Sequence, residues 1–257
     1  MTTSQTDDLN LHVVASGAGE GLLFIHGAGG NAAIWTQQIT AFAPTRRVVA
    51  FDLPGFGRSP AVEPDDLPRA LTHAPAQALD AAGVERADVV CQSLGGWSGL
   101  RFALAFPHRV RRLVLACTMA GVAHDPALAA FAAAREKMDE RGPASLGLRD
   151  SFRSARPDMA YLYDQVSAFN TQLPPTFGAA VFSPQMLTPK AQLAALTCPV
   201  LLIVGADDPI WPPDSVAGIA AAIPHAAMAV VSDAGHSPYF EQAEEFNALL
   251  RTFFAGP

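Results

Sequence analysis

Short apolar runs alternate with stretches of helical spacing along most of the chain. Six of these runs are rich in Val, Ile, Leu and Ala without regular polar alternation, a pattern typical of strands buried on both faces. They predict strands over residues 22–26, 47–51, 87–92, 113–117, 199–204 and 227–231. Helices are predicted over residues 32–43, 66–82, 94–106, 214–223 and 239–254. This order predicts an α/β fold with a mostly parallel, doubly wound sheet flanked by helices, in which ligands bind beyond the carboxyl ends of the strands.

One segment, from about residue 120 to residue 195, interrupts this alternation. It contains no strong strand candidate. Its short helical patterns are broken at Gly142-Pro143, Pro157, Pro174-Pro175 and Pro184. We therefore expect a core made of residues 1–119 and 196–257, with residues 120–195 inserted as a helical cap over the strand ends. A helical extension of the core is the alternative interpretation.

Composition and charge narrow the class of protein. Half of the 257 residues are hydrophobic and 16% are charged, as in globular proteins and unlike disordered ones. The formal net charge of −7 disfavours nucleic acids and anionic membrane surfaces as partners. No stretch approaches the roughly 18 uninterrupted apolar residues of a membrane span. We expect a monomer or homodimer that binds a small molecule and has no nucleic-acid or membrane partner.

The cysteines and the first residues bear on location and on metal binding. Cys91, Cys117 and Cys198 lie in or beside predicted strands, which indicates reduced core thiols and not a disulfide framework. No pair of cysteines or histidines has the spacing of metal ligands, so no metal site is predicted. Residues 1–8 lack the basic start and apolar core of a signal peptide. These features predict a cytoplasmic location.

Ser93 is the strongest candidate for chemistry. It lies in Cys91-Gln92-Ser93-Leu94-Gly95-Gly96, between a predicted strand and a predicted helix. A serine in such a turn, with small residues two positions away on each side, is typical of a nucleophile elbow. Cys91 stands where the usual G-x-S-x-G pattern has glycine, so an ordinary turn serine is the alternative on this motif alone. We expect Cys91 to be buried and inert, because it lies on the strand before the turn.

Partners for this serine follow other strands. A serine hydroxyl needs a base within hydrogen-bond reach, and the base needs a third group to orient it. His236 follows the last predicted strand, and Asp207 and Asp208 follow the strand before it. All three lie after strand carboxyl ends, at the edge that carries Ser93. The glycine-rich loop 26–30 also ends a strand there and can present a backbone N–H to an oxyanion.

Together these motifs resemble the α/β-hydrolase superfamily, whose chain order of Ser, Asp and His they share. The chain is similar to small capped bacterial members, which include enol-lactone hydrolases, carboxylesterases, cofactor-free haloperoxidases and C–C bond hydrolases of aromatic-ring breakdown. The resemblance covers residues 10–119 and 196–255, and the cap matches only in position and helical character. Its motifs are His26-Gly27, Asp52-Leu53-Pro54-Gly55-Phe56-Gly57-Arg58-Ser59, Ser93-Leu94-Gly95-Gly96, Gly205-Ala206-Asp207-Asp208 and Gly235-His236.

The resemblance implies a role for each matching residue. It makes Ser93 the nucleophile, His236 the general base and acid, and Asp208 the carboxylate that orients the histidine. In the family's pattern the acid lies three positions after a glycine, which selects Asp208. Asp207 is then expected to face solvent or cap a turn. A serine nucleophile disfavours the dehalogenase and epoxide-hydrolase chemistry found elsewhere in the superfamily.

Further residues are expected to complete the site. The resemblance implies that the backbone N–H groups of Ala28 and Leu94 form the oxyanion hole. We place Trp211, three positions after Asp208, and Gly27 in the substrate pocket. Apolar cap side chains are expected to make most of its remaining walls.

Polar side chains near the predicted site have plainer interpretations. His26 is expected to hold the oxyanion loop by hydrogen bonds. Arg135, Arg149, Arg153 and Arg156 are expected to form a solvated face of the cap. The alternative is that one of these arginines points inward and binds a substrate carboxylate.

These residues predict a serine hydrolase that cleaves a small apolar or aromatic ester or lactone through an acyl-enzyme, without a metal or organic cofactor. Three alternatives stay open. The same three side chains serve a C–C bond hydrolase of a ring-cleavage product, and they also serve a cofactor-free haloperoxidase or perhydrolase. The third alternative is a ligand-binding protein without catalytic activity, because fold alone does not define function.

Overall fold

The computed structural model describes residues 8–170 and 173–256. The N-terminal segment from which we predict the absence of a signal peptide therefore lies almost entirely outside the described residues. Within the described part of the chain, no helix combines the length and the apolar character needed to cross a membrane.

A seven-stranded sheet forms the centre of the molecule, with strand order β1-β3-β2-β4-β5-β8-β9. Its strands are β1 (Val13–Ser16), β2 (Glu20–Ile25), β3 (Arg46–Phe51), β4 (Ala87–Gln92), β5 (Val110–Ala116), β8 (Val200–Gly205) and β9 (Ala227–Val231). All neighbouring strands pair in parallel except β1, which runs antiparallel to β3. The predicted fold class, a mostly parallel sheet between helices, is confirmed.

The edge strand β1 was not predicted. Its four residues, VVAS, are all half-buried or exposed, so its sequence lacks the continuous apolar run of a strand covered on both faces. It joins the sheet by pairing Val13 with Phe51 and Ser16 with Val48. The pairing is decided by the neighbouring strand and not by a signal within β1 itself.

Helices cover both faces of the sheet and connect its strands. Those of the core are α1 (Thr36–Phe42), α2 (Leu67–Ala81), α3 (Gly95–Ala105), α8 (Pro213–Ala220), α9 (Pro238–Glu241) and α10 (Ala243–Ala255). Two predicted helices differ in detail. The first begins as a 3₁₀ turn, Ala32–Trp35, capped by the Asn31 side chain. The last is interrupted at Gln242, whose φ of −127° and ψ of 54° are not helical.

The described residues of the inserted segment form four short α-helices, with 3₁₀ turns at Gly142–Leu146 and Lys190–Ala195. The α-helices are α4 (Asp125–Arg135), α5 (Asp150–Ala155), α6 (Pro157–Ala168) and α7 (Phe177–Val181). A small parallel bridge that the sequence did not indicate joins its two ends, between β6 (Val122–Ala123) and β7 (Thr188–Pro189). This bridge ties the entry and exit of the insertion together. The limits 120–195 for a separate cap stay a prediction.

The buried core lies in two layers, one on each face of the sheet. Along β2, Leu23 and Ile25 belong to one layer, while Leu22 and Phe24 belong to the other. Successive strand side chains point to opposite faces, so an unbroken apolar run supplies both layers at once. The sheet is thereby fixed rigidly between its helices, and the loops after β4, β8 and β9 emerge at one edge.

Candidate active site

The turn after β4 holds Ser93 in a strained conformation. Ser93 has a φ of 51°, in the left-handed region that few residues other than glycine adopt. Its N–H donates to the carbonyl of Ala116, and its carbonyl accepts from the hydroxyl of Thr118 at 2.6 Å. Gly95 allows the helix to start close to the sheet, because a Cβ there would lie 2.4 Å from the Ile25 carbonyl oxygen. This is the geometry that places a serine at the apex of a sharp strand–helix turn.

Cys91 is accommodated by a glycine on the facing helix. A Cβ at Gly99 would lie 2.0 Å from the Cys91 sulfur, so the sulfur fills the space that a side chain at position 99 would take. Cys91 is fully buried, and burial raises the pKa of its thiol far above the ordinary value. The thiol therefore stays protonated and unreactive. Cys91, which replaces the usual glycine of the motif, is thus accommodated by Gly99, eight residues later.

Ser93, His236 and Asp208 form a continuous line of hydrogen bonds. The Ser93 hydroxyl lies 2.9 Å from His236 Nε2. His236 Nδ1 lies 3.0 Å and 3.1 Å from the two carboxylate oxygens of Asp208. All three residues are buried. The Asp208 carboxylate accepts a hydrogen bond from the N–H at His236 Nδ1. The unprotonated Nε2 can then accept a hydrogen bond from the serine hydroxyl.

The Asp208 carboxylate is itself held in place by its own turn. Its Oδ1 accepts hydrogen bonds from the backbone N–H groups of Ile210 and Trp211, at 2.8 Å and 3.1 Å. The adjacent Asp207 lies elsewhere, with its carboxylate 3.0 Å from the Arg149 guanidinium and largely exposed to solvent. The structure thus brings Asp208, and not Asp207, to the histidine.

Cys117, Asp208 and His236 offer ligand atoms within 4.8 Å of one another, a spacing that a metal ion could bridge. Both ring nitrogens of His236 already have hydrogen-bond partners. Burial, followed by the nearby Asp208 carboxylate, raises the pKa of the Cys117 thiol well above its ordinary value. A metal prefers the thiolate, which this environment disfavours. The group fits a hydrogen-bond relay better than a metal site.

The loop after β2 packs directly against Ser93. A Cβ at Gly27 would lie 2.1 Å from the side-chain oxygen of Gln92 and 2.8 Å from the Ser93 Cβ. Neither the Ala28 N–H nor the Leu94 N–H has a hydrogen-bond acceptor among the described residues. Two backbone donors are therefore free beside the Ser93 hydroxyl. Such donors are what an oxyanion hole requires.

His26 connects the loop after β2 to the loop after β3 by two hydrogen bonds. The ring lies 2.7 Å from the Gly27 carbonyl through Nδ1, and its Nε2 accepts from the Leu53 N–H at 2.9 Å. This pattern requires the neutral ring with its proton on Nδ1. Burial lowers the pKa of His26 to about 4, against an ordinary value of 6.5. The residue acts as a neutral structural link between the loop after β2 and the loop after β3.

A cavity of about 1370 Å³ extends from Ser93 beneath the inserted helices. Its lining includes Ser93, Ala28, Leu94 and Trp211. Gly27 is not among the lining residues and packs against Gln92 and Ser93, and its place in the substrate pocket stays a prediction. The inner walls are apolar. They are formed by Trp97, Leu128, Phe131, Leu173, Phe177, Val181, Phe182, Ile210 and Trp211.

Two side chains that the sequence analysis did not single out hold the segment carrying His236. Gln92 donates to the His236 carbonyl at 3.0 Å. Glu241 accepts from the Gly235 N–H at 2.9 Å and from the Arg149 N–H at 3.1 Å, so it links the histidine loop to the inserted helices. Gln92 adjoins Ser93, which is a weak signal, whereas nothing in the sequence around Glu241 distinguishes it from a surface glutamate.

The fold and this site together define a hydrolase of the α/β type. The model of the Alpha/beta hydrolase family matches residues 22–249, and the chain belongs to that family. The resemblance stated from the sequence motifs is therefore confirmed.

Relatives of known activity extend over almost the whole chain. A 2-hydroxymuconate semialdehyde hydrolase of Pseudomonas putida is 31% identical, over 96% of this chain and 90% of its own length. A pimeloyl-[acyl-carrier protein] methyl ester esterase of Vibrio atlanticus is 30% identical, over 96% of this chain and 98% of its own. Among solved structures, a thermophilic esterase from Thermogutta terrifontis superposes with a TM-score of 0.77 at 25% identity, covering 98% of this chain and 96% of that one. One of these relatives is named as a semialdehyde hydrolase and two are named as esterases.

Proposed function

We propose that this protein is a serine hydrolase that cleaves a carboxylic ester or lactone through an acyl-enzyme. The observation that carries the proposal is the unbroken hydrogen-bond line from Asp208 through His236 to Ser93, which ends at the cavity wall. A hydroxyl becomes a useful nucleophile only when an oriented base can take its proton. This line supplies both the base and the group that orients it.

In the acylation step, the Ser93 oxygen forms a bond to the substrate carbonyl carbon while its proton moves to His236 Nε2. Asp208 stabilises the imidazolium that results, through the hydrogen bond at 3.0 Å. The tetrahedral intermediate then collapses. The bond from carbon to the leaving oxygen breaks, and His236 returns the proton to the departing alcohol.

The free N–H groups of Ala28 and Leu94 are proposed to bind the oxyanion of that intermediate. They belong to two rigid elements, the loop after β2 and the start of α3, so they need no rearrangement as charge develops. Removing one such donor typically slows an enzyme by about 100- to 1000-fold.

In the deacylation step, His236 takes a proton from water and the resulting hydroxide attacks the acyl carbon. The bond to the Ser93 oxygen breaks, and the serine recovers its proton from the imidazolium. The products are a carboxylic acid and the regenerated enzyme. Each step uses only side chains and backbone groups of the site.

Hydrolysis of a C–C bond is the second candidate function. It is favoured by the relative from Pseudomonas putida, which is named as a semialdehyde hydrolase and matches nearly the full chain. The ester proposal is favoured by the relative from Vibrio atlanticus, named as a methyl ester esterase, over the same share of the chain. The two candidates therefore require a direct assay.

Location and assembly are further parts of the proposal. We place the protein in the cytoplasm as a monomer or homodimer that acts on a small molecule. The three cysteines support a reducing compartment, because Cys91 and Cys117 are buried as free thiols and Cys198 is half-buried.

The test is hydrolysis of p-nitrophenyl esters from acetate to long acyl chains by the wild type, Ser93→Ala and Ser154→Ala. Ser154 is an exposed serine on α5 and serves as the matched control. We expect turnover by the wild type and by Ser154→Ala, and a loss of at least about 10⁴-fold in Ser93→Ala. Turnover of every ester by Ser93→Ala, or of none by the folded wild type, would contradict the proposal.

A further inference from the structure

Four aromatic rings form a closed group on one wall of the cavity. The Trp211 and Phe131 centroids are 5.7 Å apart with an interplanar angle of 18°, and those of Phe131 and Phe182 are 4.4 Å apart with an interplanar angle of 29°. Trp97 closes the group, at 5.7 Å from Phe182 and 5.8 Å from Trp211. We call Trp97, Phe131, Phe182 and Trp211 the ring wall.

The ring wall begins at the proposed base. The Trp211 centroid lies 5.7 Å from the His236 ring. Trp97 and Trp211 belong to the core and are buried. Phe131 lies on the inserted helix α4 and Phe182 directly follows α7, and both are half-buried. All four line the cavity, so the two phenylalanines present ring surface to whatever occupies it.

The charged residues that line the cavity are exposed or half-buried, whereas Ser93 is buried. Among the described residues they all belong to two stretches of the inserted segment: Arg135, Glu136, Asp139, Glu140, Arg141 and Asp164. Four acids face two lining arginines and Arg153, which pairs with Asp164, so this exposed lining is net negative. A substrate carboxylate would meet repulsion there and, in the inner part, burial without an ionic partner.

The other cap arginines are already bound to acidic side chains. Arg149 pairs with Asp207, at 3.0 Å, and Arg153 pairs with Asp164, at 2.9 Å. Arg156 forms an ion pair of 3.0 Å with the neighbouring Asp158. None of these three arginines lines the cavity. The structure gives no support for carboxylate binding by these three arginines, whereas Arg135, the fourth arginine of that alternative, lines the cavity.

We propose that the cavity takes a neutral acyl group ending in an aromatic ring, and that Phe131 and Phe182 select it against acyl groups ending in a carboxylate. This inference rests on the proposed serine hydrolase function. A ring stacked on the wall gains the offset or edge-on contacts that aromatic pairs prefer, which an alkyl chain of similar size lacks. A carboxylate at the same depth loses its hydration without gaining an ionic partner.

The first experiment compares three p-nitrophenyl esters with acyl groups of similar length: 4-phenylbutanoate, octanoate and the monoester of suberic acid. The leaving group is constant, so kcat/KM reports on the acyl group alone. We expect the phenyl ester to exceed octanoate by about 3- to 10-fold, the range that aromatic pairing supplies. The suberate monoester is expected to fall at least about 100-fold below octanoate.

Variants then locate the preference. Phe131→Leu and Phe182→Leu are expected to bring the ratio of phenyl to octanoyl ester close to one, with the loss mainly in KM. Phe169→Leu is the matched control, because Phe169 is 71% exposed and does not line the cavity. Its ratio should equal that of the wild type. A ratio unchanged in both ring-wall variants would show that these rings only attach the inserted helices to the core, and the inference would be wrong.

A binding measurement separates this inference from the proposed catalysis. In Ser93→Ala, methyl 4-phenylbutanoate and methyl octanoate are titrated while the tryptophan fluorescence is followed, to which Trp97 and Trp211 of the ring wall contribute. We expect the phenyl ester to bind about 3- to 10-fold more tightly, whether or not the wild type hydrolyses either compound. Equal affinities would overturn the inference even if esterase activity is found. A preference for the suberate monoester that disappears in Arg135→Gln would overturn it as well.

Discussion

Asp207 and Asp208 are chemically identical neighbours with opposite surroundings. Asp208 is buried, accepts two backbone N–H bonds and faces His236. Asp207 is turned outward and pairs with Arg149. At the scale of residues, the surroundings of each carboxylate depend on the direction in which its side chain leaves the turn. The two carboxylates can be compared by replacing each aspartate in turn with asparagine.

We predict that Asp208→Asn lowers kcat by about 10³- to 10⁴-fold with little change in KM. An amide can donate to the ring and so favour the wrong tautomer, which removes the base from Nε2. The matched variant, Asp207→Asn, should stay within about threefold of the wild type because it loses only an exposed ion pair. Steady-state kinetics of an ester substrate measure both. Equal losses in the two variants would contradict the assignment of Asp208.

His26 leads to a prediction about stability and pH. Its pKa is about 4 in the folded protein, because of burial, and about 6.5 as an ordinary value. In the unfolded chain His26 therefore binds a proton below about pH 6.5, whereas in the folded protein it binds one only below about pH 4. The contribution of His26 to stability is complete above pH 6.5 and is lost as the pH falls towards 4.

We predict that acidification from pH 7 to pH 5 reduces the free energy of unfolding more in the wild type than in His26→Gln, by about 2 kcal/mol. Urea unfolding at the two pH values measures the difference. Using the variant as reference removes the contributions of other titrating groups, which are common to both proteins. If the two proteins lose the same stability over this range, His26 is not the neutral buried group that its contacts indicate.

At the scale of elements, the contact between β4 and α3 sets the position of Ser93. The Cys91 sulfur occupies the place of a side chain at Gly99, and Gly95 keeps the helix start against β2. The helix can lie close to the sheet only because it has glycine at both points of contact, Gly99 opposite Cys91 and Gly95 opposite Ile25. The unusual residue of the serine motif is therefore a matter of packing between two elements.

We predict that Gly99→Ala destabilises the protein by about 1–3 kcal/mol through overpacking against the sulfur. In the background of Cys91→Ala, the same change should cost less than about 1 kcal/mol, because the facing sulfur has gone. Thermal or urea unfolding of the four proteins of this double-mutant cycle gives the coupling. Additive effects would show that the sulfur and position 99 do not share the same space.

At the scale of the whole molecule, the two edges of the sheet have different chemistry. The carboxyl ends of the strands carry the proposed catalytic residues. Near the amino ends, Asp88 is completely buried on β4 and is paired with arginines of β5, which neighbours β4, and of β3, which lies two strands away. Arg46 of β3 binds it directly, and Arg111 and Arg112 of β5 lie 3.7 Å and 3.5 Å away.

We predict that Asp88→Asn lowers the free energy of unfolding by about 3 kcal/mol, because it removes the fully buried charge that the half-buried Arg46 and Arg112 face. The kcat of the folded protein should stay within about twofold of the wild type, since the change lies at the opposite edge from Ser93. Urea unfolding and an ester assay well below the melting temperature measure the two quantities. A large fall in kcat of the folded variant would show that the edges are coupled.

Predictability differed between the core and the inserted segment. The six parallel strands were recognisable because strands covered on both faces are apolar throughout. The edge strand β1 was not, because it is half-exposed and short. The break at Gln242 was missed as well, since the apolar spacing continues across it. In the insertion, helical character was predictable, but the bridge between β6 and β7 depends on a pairing across more than sixty residues.

The sequence by itself determined the alternation of strands and helices and the family, and with them the edge at which Ser93, Asp208 and His236 emerge. These follow from local periodicity and from turn residues, which act over a few positions. Only the tertiary structure decided which contacts hold Asp208, that Gly27 packs against Gln92 and Ser93, and that Arg149 and Arg153 are paired with acidic side chains. Those outcomes depend on side chains brought together from distant positions, where packing and charge pairing select the contacts and local spacing carries no signal.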